Sequence, residues 1–376
     1  MPMVLGPKWS IPARSGDDTS GRRHGSCDVM FDTPVVVVDA AVMDRNIQRA
    51  QTVATAAGVR LRPHVKTHKS SLLAQKQLEA GATGLTCATL SEAVGLSEAG
   101  VGGDLFVAVP FYPSPSKLAR IDLLLEAGSD LSLAVDNLSV AGLLAIRYPG
   151  GGPRLIVEVD SGSHRTGVDP VEALPVAAAC GDLFGGVFTH GGHGYPPGMA
   201  AAAGADEVRV LAETKNRIEA AGGRVAVISA GSTPTAAHCV GDPVNEVRPG
   251  TYIFGDWQQV GNGAMALDDV AVSVMATVIS APAADRFVLD CGAKILSKDQ
   301  PAWVEGYGHL PQMPGAVIER LYDNHAVVST HGDRPPMVGD QLRVIPNHVC
   351  PVINLVDQFL LTTGDVVPVD LRGHLT

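Results

Sequence analysis

The chain has 376 residues, of which 45% are hydrophobic and 18% are charged, so it can bury a sizeable core and is not a disordered protein. Its formal net charge of −11 and its lack of a dense lysine and arginine run exclude a nucleic-acid-binding protein. No segment is long and apolar enough to predict a membrane span.

Residues 1–30 are predicted to form a mobile extension because they are rich in proline, glycine, serine and charged residues. They lack the apolar stretch of a secretory signal, and the six cysteines of the chain are scattered without a CxxC pair. We therefore expect a cytoplasmic protein with free thiols. His24 and Cys27 are expected to be bystanders rather than metal ligands.

Strand and helix patterns alternate from residue 31. Short β-branched runs, such as "TPVVVVD" at 33–39 and "PRLIVEVD" at 153–160, are each followed by a helical pattern. Seven or eight such units favour a closed (β/α)8 barrel, of the TIM type, over an open doubly wound sheet, and this barrel is predicted to span 31–262. The chain has no GxGxxG after its first strand and no Walker A motif, which argues against a dinucleotide or nucleoside-triphosphate site.

The pattern changes at residue 263, after which strand patterns follow one another with few helices. The sequence predicts a mostly antiparallel β domain over 263–376. The strand at 33–38 is also compatible with pairing in that domain. The predicted architecture is therefore α/β, with a barrel followed by a C-terminal β domain.

Basic side chains are concentrated in "LRPHVKTHKS", at the end of a strand predicted at 59–64. In an extended chain, His64, Lys66 and His68 point to one side. A lysine that faces the mouth of a barrel loses solvation and becomes nucleophilic. Lys66 fits this description better than Lys69, which is out of phase at the start of the next helix. A solvated rim lysine remains the alternative for Lys66.

Two further strand ends carry polar groups. In "EVDSGSHRTGV", Arg165 lies in a glycine-flanked turn, where it can bind an anionic or aromatic oxygen or form a salt bridge. In "THGGHGY", His190 and His193 flank two glycines that permit close approach of a ligand, and Tyr195 follows. These residues predict a binding site at the strand ends of the barrel.

A phosphate-binding loop is predicted after the strand at 225–230. There "AGSTPT" places a glycine and hydroxyl side chains before a helix start, where backbone N–H groups face an anion. The segment "RPGTYIFGD" would lie beside it. The residues expected to bind the phosphate are Gly231, Ser232, Thr233, Gly250, Thr251 and Tyr252.

The segment "PNHVCPV" near the C-terminus holds His348 and Cys350 two residues apart on a predicted strand. Imidazole nitrogen and thiolate sulfur together favour Zn²⁺ over Mg²⁺ or Ca²⁺. Two protein ligands leave coordination positions open, as in a catalytic site. A buried cysteine beside a loop histidine remains the alternative for an HxC pair taken by itself.

Nine separated segments, covering roughly residues 31 to 360, resemble the D-serine dehydratase and D-threonine aldolase family of fold-type III pyridoxal-phosphate enzymes, whose barrel is similar to that of alanine racemase. The segments are, in order, "DTPVVVVD", "RPHVKTHKS", "GLTCATLSEA", "VEVDSGSHRTGV", "THGGHGY", "SAGSTPT", "EVRPGTYIFGD", "LDCGAKILSKD" and "PNHVCPVINL".

The resemblance implies pyridoxal 5′-phosphate as the cofactor, with Lys66 forming the internal aldimine and then abstracting the α-proton. The cofactor ring would lie near Arg165, His190 and Tyr195, and its phosphate would be bound by the loop at 231–233 with 250–252 nearby. His348 and Cys350 would hold Zn²⁺, or Mn²⁺ in its place, against the β-hydroxyl of the substrate. The family also implies a homodimer, whereas the net charge and the lack of a long apolar segment predict no nucleic-acid or membrane partner.

The implied reaction is dehydration and deamination of D-serine, or a similar β-hydroxy-D-amino acid, to a 2-oxo acid and ammonia. The alternative is an aldolase that yields glycine and an aldehyde. Cys350 favours the dehydratase, because aldolases of the family tend to have an aspartate there. The "THGGHGY" segment departs from the aldolase spacing, which leaves the role of His193 as a catalytic base open.

Two other functions are less compatible with these residues. A racemase needs a second base on the opposite face of the cofactor, and no unambiguous tyrosine presents itself. A non-catalytic pyridoxal-phosphate carrier is usually a bare barrel without the β domain and the HxC pair. Lys294, in "CGAKILSKD", lies in the predicted β domain and is expected to be structural.

Overall fold

A computed structural model describes residues 32–332 and 334–376. The predicted extension at 1–30, with His24 and Cys27, lies outside the described residues. No helix in the described part is long and apolar enough to cross a membrane. The described residues form two compact units: a barrel unit of Arg45–Ile253, Gln259–Ala266 and Val369–Thr376, and a β unit of 32–44, Phe254–Gln258 and Leu267–Pro368.

The strands of the described residues, numbered along the chain, are β1 (Val35–Val38), β2 (Arg60–Leu61), β3 (Leu85–Cys87), β4 (Asp104–Val107), β5 (Asp130–Val135), β6 (Arg154–Glu158), β7 (Phe184–Phe188), β8 (Val227–Ala230), β9 (Glu246–Val247), β10 (Val272–Ala283), β11 (Arg286–Leu289), β12 (Val317–Leu321), β13 (Ala326–Ser329), β14 (Gln341–Val344), β15 (Gln358–Leu361) and β16 (Val366–Pro368).

The helices are α1 (Ala40–Ala56), α2 (Ser71–Glu79), α3 (Leu90–Glu98), α4 (Pro115–Glu126), α5 (Leu138–Arg147), α6 (Pro170–Cys180), α7 (Ala200–Ala220), α8 (Trp257–Gly261), α9 (Ala293–Leu296) and α10 (Val349–Asn354). Thr89, Asn137 and Asp169 cap three of them, α3, α5 and α6, by accepting a hydrogen bond from a backbone N–H in the first turn. Each cap sets the residue at which the loop after a barrel strand ends and the next helix begins.

The barrel unit is built on parallel strands in the order β2-β9-β8-β7-β6-β5-β4-β3. A parallel bridge between His64 and Thr86 joins the first and last strands of this order. The N–H of Thr86 also donates to the carbonyl of Pro63 at 2.8 Å. The predicted (β/α)8 barrel is therefore confirmed, and its strand ends converge on one mouth.

The barrel strands are buried on both faces, because successive side chains alternate between the surrounding helices and the barrel interior. In β6, Leu155 and Val157 belong to the large core beneath the helices. Between them, Ile156 joins Phe106 and Phe188 in a small separate cluster. This double burial explains the continuous apolar runs in the sequence.

The β unit contains one sheet in the order β12-β13-β11-β10-β1-β15-β16, with β14 paired to β10. All of its pairs are antiparallel except β1 with β15. The predicted antiparallel character of this region is therefore confirmed. The strand β1 lies in this sheet, with Val35 opposite Met275. The unit boundaries differ from the predicted limits of 31–262 and 263–376. Residues 32–44 lie in the β unit rather than in the barrel unit, and Val369–Thr376 lie in the barrel unit rather than in the β unit.

Candidate active site

Lys66 lies in a single turn of 3-10 helix, Val65–Thr67, that follows the barrel-closing bridge at His64. The His64 side chain caps this turn, since its Nδ1 accepts from the Lys66 N–H at 3.4 Å. The prediction that His64, Lys66 and His68 share one face of an extended strand is therefore wrong. The chain turns after His64 because the imidazole accepts the hydrogen bond of the Lys66 N–H. In a continuing strand, a neighbouring strand would have to accept that hydrogen bond.

Lys66 and Lys69 have different surroundings. The Lys69 ammonium lies 2.7 Å from a carboxylate oxygen of Glu92, and both side chains are buried. The second oxygen of Glu92 accepts from the Ala88 N–H at 2.6 Å. Lys69 is thus committed to a buried ion pair, whereas Lys66 is only half-buried. This contrast supports Lys66 as the reactive lysine, which stays a prediction.

The electrostatics around Lys66 favour neutral histidines. Burial lowers the pKa of His64 well below its ordinary value, and the positive charges of Lys66 and Arg248 lower it further. Burial has the same effect on the pKa of His190, with Lys66 and Arg165 adding to it. Lys66, His64 and His190 therefore form one electrostatically coupled group.

His68 is directed away from this group, toward α2. Its Nδ1 accepts from the Ser70 N–H at 3.1 Å, so its Nε2 carries the hydrogen and donates to Gln77 at 3.1 Å. The Gln77 amide donates in turn to the Tyr252 hydroxyl at 2.9 Å. Burial lowers the pKa of His68 to about 4, so this chain of hydrogen bonds contains a neutral imidazole at pH 7.

The predicted phosphate loop lies at the end of β8 and meets the turn after β9. The N–H of Tyr252 donates to the Thr233 hydroxyl at 3.2 Å, which joins the two segments. A Cβ at Gly250 would lie 2.9 Å from the Thr67 hydroxyl, so the backbone approaches the Lys66 turn closely there. We call the loop at 231–233 together with Gly250–Tyr252 the phosphate cradle.

The cradle retains backbone donors that can bind an anion. The N–H groups of Gly231 and Ser232 donate to the Glu207 carboxylate and the Thr235 hydroxyl. In contrast, the N–H groups of Thr233, Gly250 and Thr251 meet no acceptor within residues 32–332 and 334–376. These unsatisfied donors beside the Lys66 turn fit the phosphate group of pyridoxal phosphate.

A small open cleft lies at the ends of β6 and β7, and Arg165 and His190 line it together with Glu158. Tyr195 faces His190 at a ring-centroid distance of 6.4 Å. His193 follows in the same loop. Its ring nitrogens make no hydrogen bond in the described part of the chain, although the Asp206 carboxylate lies 3.5 Å from Nε2.

Arg248, Glu158 and Glu207 also lie at this mouth, and the sequence alone did not predict a role for them. The Arg248 guanidinium donates to the Ser229 hydroxyl at 2.5 Å and to the Thr189 carbonyl at 2.6 Å. The partners of Arg248 are distant in sequence, so they could not be predicted from it. The position of Arg248 in "VRPG", next to the predicted cradle, did indicate that it lies near the site. Glu158 is a buried carboxyl whose pKa is raised by burial.

The predicted strand through His348 and Cys350 is wrong, because α10 starts at Val349 with His348 at its N-cap. The helix begins there because the Val349 N–H donates to the Asp256 carboxylate at 3.0 Å. The two candidate ligands still meet. Burial alone would lower the pKa of His348, but the charge of Cys350 and its hydrogen bond outweigh that effect and raise the pKa to about 10.

Asp299, which was not predicted from the sequence, has its carboxylate 2.5 Å from Nδ1 of His348. This contact orients the imidazole and leaves Nε2 for another partner, as carboxylates do beside metal-bound histidines. Among the described residues, no three histidine, cysteine, aspartate or glutamate side chains form a metal site. The nitrogen and sulfur donors of His348 and Cys350 fit a zinc ion with open positions. Lys294 is exposed and lies 3.6 Å from Asp323.

Two family models match the chain. Residues 38–258 match the model of the alanine racemase N-terminal domain, and residues 271–362 match a model named "Putative serine dehydratase domain". The chain is similar to a D-threo-3-hydroxyaspartate dehydratase of Delftia sp. (strain HT23), with 36% identity over 352 residues, or 85% of this chain and 91% of that protein. It is also similar to a D-threonine aldolase of Arthrobacter sp., with 31% identity over 381 residues, or 97% and 96%.

The fold resembles that of a D-threo-3-hydroxyaspartate dehydratase variant solved in its metal-free form. The TM-score is 0.84 at 33% identity, covering 92% of this chain and 98% of that one. These comparisons confirm the predicted resemblance, the predicted fold and the predicted class of pyridoxal-phosphate-dependent lyase. The chain belongs to the fold-type III pyridoxal-phosphate family that contains the D-serine dehydratases, the D-threonine aldolases and the D-threo-3-hydroxyaspartate dehydratases.

Proposed function

We propose that this protein is a pyridoxal-phosphate- and zinc-dependent lyase that dehydrates D-serine or a similar β-hydroxy-D-amino acid to a 2-oxo acid and ammonia. One observation carries the choice of a lyase over a racemase. A nitrogen and a sulfur donor, His348 and Cys350, are in contact, and Asp299 orients the histidine. A racemase has no use for such a pair.

The barrel unit supplies the binding and proton-transfer groups. The free N–H groups of Thr233, Gly250 and Thr251 bind the cofactor phosphate, and the bound cofactor provides an electron sink for negative charge at the α-carbon. Lys66 attaches the cofactor and takes the α-proton onto its Nζ. Burial and neighbouring cations lower the pKa values of His64 and His190, which disfavours a proton on either imidazole, so Lys66 is the base that we assign to the α-proton.

His348 and Cys350 serve departure of the β-hydroxyl, which is a poor leaving group by itself. These two residues would hold a metal ion, which would supply a Lewis acid for the charge that develops on the hydroxyl oxygen. Removal of the α-proton and loss of water give an enamine, and its hydrolysis yields the 2-oxo acid and ammonia. The identity of the metal as Zn²⁺ rests on the nitrogen and sulfur donors, with Mn²⁺ as the alternative.

The alternative function is an aldolase, in which the hydroxyl is deprotonated and the Cα–Cβ bond breaks. One observation favours it: the His193 imidazole has no hydrogen bond in the described part and is available as a base. Cys350 argues for the dehydratase. A homodimer, implied by the family resemblance, and a cytoplasmic location, expected from the sequence, stay predictions.

The products distinguish the two reactions. The enzyme, loaded with pyridoxal phosphate and Zn²⁺, is incubated with D-serine, D-threonine and D-threo-3-hydroxyaspartate, with the L-enantiomers as controls. We expect 2-oxo acid and ammonia in equal amounts from the D-enantiomers. Glycine plus aldehyde as main products would overturn the dehydratase proposal in favour of the aldolase. Chelation with EDTA should abolish either reaction, and Zn²⁺ or Mn²⁺ should restore it.

A further inference from the structure

Glu207, on α7, connects two loops at the mouth of the barrel. Its side chain is fully buried, and one oxygen accepts two backbone hydrogen bonds, from the Gly191 N–H at 3.0 Å and the Gly231 N–H at 2.9 Å. Gly191 directly follows His190, and Gly231 begins the phosphate cradle. A single carboxylate oxygen therefore joins the histidine loop after β7 to the cradle after β8.

The glycine at position 191 is explained by this carboxylate. Its backbone angle φ of −74° is available to any residue, so conformation alone does not require glycine. A Cβ there, however, would lie only 2.7 Å from the carboxyl carbon of Glu207. The close approach of Glu207 to the backbone is thus built into the loop.

Burial of this carboxylate is energetically costly, and it raises the pKa of Glu207. A helix residue that only filled space could be apolar, as its neighbours Val210 and Leu211 are. The acid instead accepts from the N–H of Gly231, the first residue of the cradle, and from the N–H of Gly191 in the histidine loop. Its contribution is therefore the orientation of the loops rather than packing alone.

We propose that Glu207 is a positioning residue that holds the phosphate cradle, through Gly231, in register with the histidine loop, through Gly191. This inference rests on the proposed binding of pyridoxal phosphate. Glu207 acts on the phosphate end of the cofactor, because Gly231 leads directly into Ser232 and Thr233. Its loss should therefore weaken binding of pyridoxal phosphate more than binding of pyridoxal, which has no phosphate.

The test is a titration of the cofactor-free protein with pyridoxal phosphate and, separately, with pyridoxal, followed by the visible absorbance that appears when either aldehyde attaches to Lys66. Glu207→Ala should weaken the affinity for pyridoxal phosphate about 10- to 100-fold, the size expected for losing hydrogen bonds to a charged group. Its affinity for pyridoxal should stay within about twofold. Glu207→Gln keeps an acceptor oxygen and should restore most of the loss.

Three controls keep the outcome interpretable. Thr214→Val, at another buried polar residue of α7, should leave the ratio of the two affinities unchanged. If Glu207→Ala does not fold, Gly191→Ala replaces it, because the new Cβ displaces Glu207 and should give the same selective loss. An unchanged affinity ratio in the folded variant overturns the inference. A wild-type protein that shows no absorbance with either aldehyde overturns the proposed function instead.

Discussion

At the strand starts of the barrel, three arginines and three acids form a connected ion-pair network. Arg62 is its centre, with two nitrogens 2.8 and 2.7 Å from the Asp104 carboxylate and Nε 2.9 Å from Glu246. Arg60 and Arg154 complete the network together with Asp130. Burial lowers the pKa of Arg62, but the two carboxylates outweigh it and raise the pKa above the usual range.

At the strand ends, Arg248, Glu158 and Glu207 form no ion pair within the described part of the chain, although Arg248 donates hydrogen bonds to Ser229 and Thr189. Arg248 is buried like Arg62, yet its pKa is lowered, because burial outweighs the attraction of Glu246 and of two acids at the mouth, Glu207 and Glu158. The pKa of each of these two acids is raised by burial. His64 also has its charged form disfavoured there.

This difference between the two ends of the barrel indicates which groups are left to interact with a ligand. Charges at the strand starts are paired within the protein itself, so removal of one member would leave an uncompensated buried charge. At the strand ends, cations and N–H donors remain that an anionic cofactor can satisfy, and the resulting gain in electrostatic energy contributes to its binding. Changes at the two ends should therefore affect different measurements.

The largest effect is expected at the mouth, for Lys66→Ala. It removes the amine that we propose attaches the cofactor and takes the α-proton, so turnover should fall by about 10²- to 10⁴-fold or more. The visible absorbance of the attached cofactor should disappear as well. Both are measured on purified protein after addition of pyridoxal phosphate.

Lys69→Ala is the matched control in the same segment. It should keep the cofactor absorbance, but it leaves Glu92 buried without its cation and should lower the free energy of unfolding by about 3–5 kcal/mol. If Lys69→Ala lost the absorbance and Lys66→Ala retained it, the assignment of the reactive lysine would be wrong.

The next effect is expected at the strand starts, for Arg62→Met. This change leaves Glu246 and Asp104 without their main cation, so it should lower the free energy of unfolding by about 3–5 kcal/mol. Urea denaturation of the cofactor-free protein measures it. Turnover of the folded fraction should stay within about twofold. A stable Arg62→Met protein with reduced turnover would contradict the separation of the two ends.

The sequence allowed us to predict which residues meet at the mouth of the barrel when they directly follow a barrel strand. Buried strands alternate with helices, so a parallel barrel followed, and the carboxyl ends of its strands had to converge. Polar groups after each strand, such as Arg165, His190 and Ser232, were therefore expected together. The cradle segments at 231–233 and Gly250–Tyr252 do meet, through Thr233.

Contacts that depend on tertiary packing were not predictable. Alternation along an extended chain placed Lys66 beside His68, but the capping imidazole of His64 turns the chain instead. Lys69 was predicted to be unreactive because it is out of phase with the strand. In the structure it is held by an ion pair with Glu92, 23 residues further along the chain. Glu207 accepts from loops 16 and 24 residues away, a contact without any local pattern.

A third, intermediate effect concerns acid. The pKa of His68 is about 4 in the folded protein against about 6.5 when unfolded, so between these values the unfolded chain binds a proton that the folded chain does not. Stability from this group is therefore complete above pH 6.5 and falls as the pH drops toward 4, by about 3 kcal/mol in all. Urea midpoints of the cofactor-free protein between pH 7.5 and 4.5 measure the loss.

His68→Gln should lower the free energy of unfolding at pH 7. It should also make the decline of that free energy with falling pH less steep, because unfolding then takes up about one proton fewer. His64 and His190 contribute with the same sign, so a residual decline is expected in this variant. Parallel pH curves for wild type and His68→Gln would show that His68 is not the neutral buried group described above.

The smallest effect should come from Arg154→Met, which tests the ion-pair network from its exposed rim. Arg154 lies 2.9 Å from Asp130 and 3.4 Å from Asp104, distances similar to those of Arg62, but its side chain is 40% exposed against 4% for Arg62. Water solvates the charges that Arg154→Met leaves behind, so the free energy of unfolding should change by only about 0–1 kcal/mol. Equal losses for Arg154→Met and Arg62→Met in urea would mean that pairing alone, rather than pairing under burial, stabilises the strand starts.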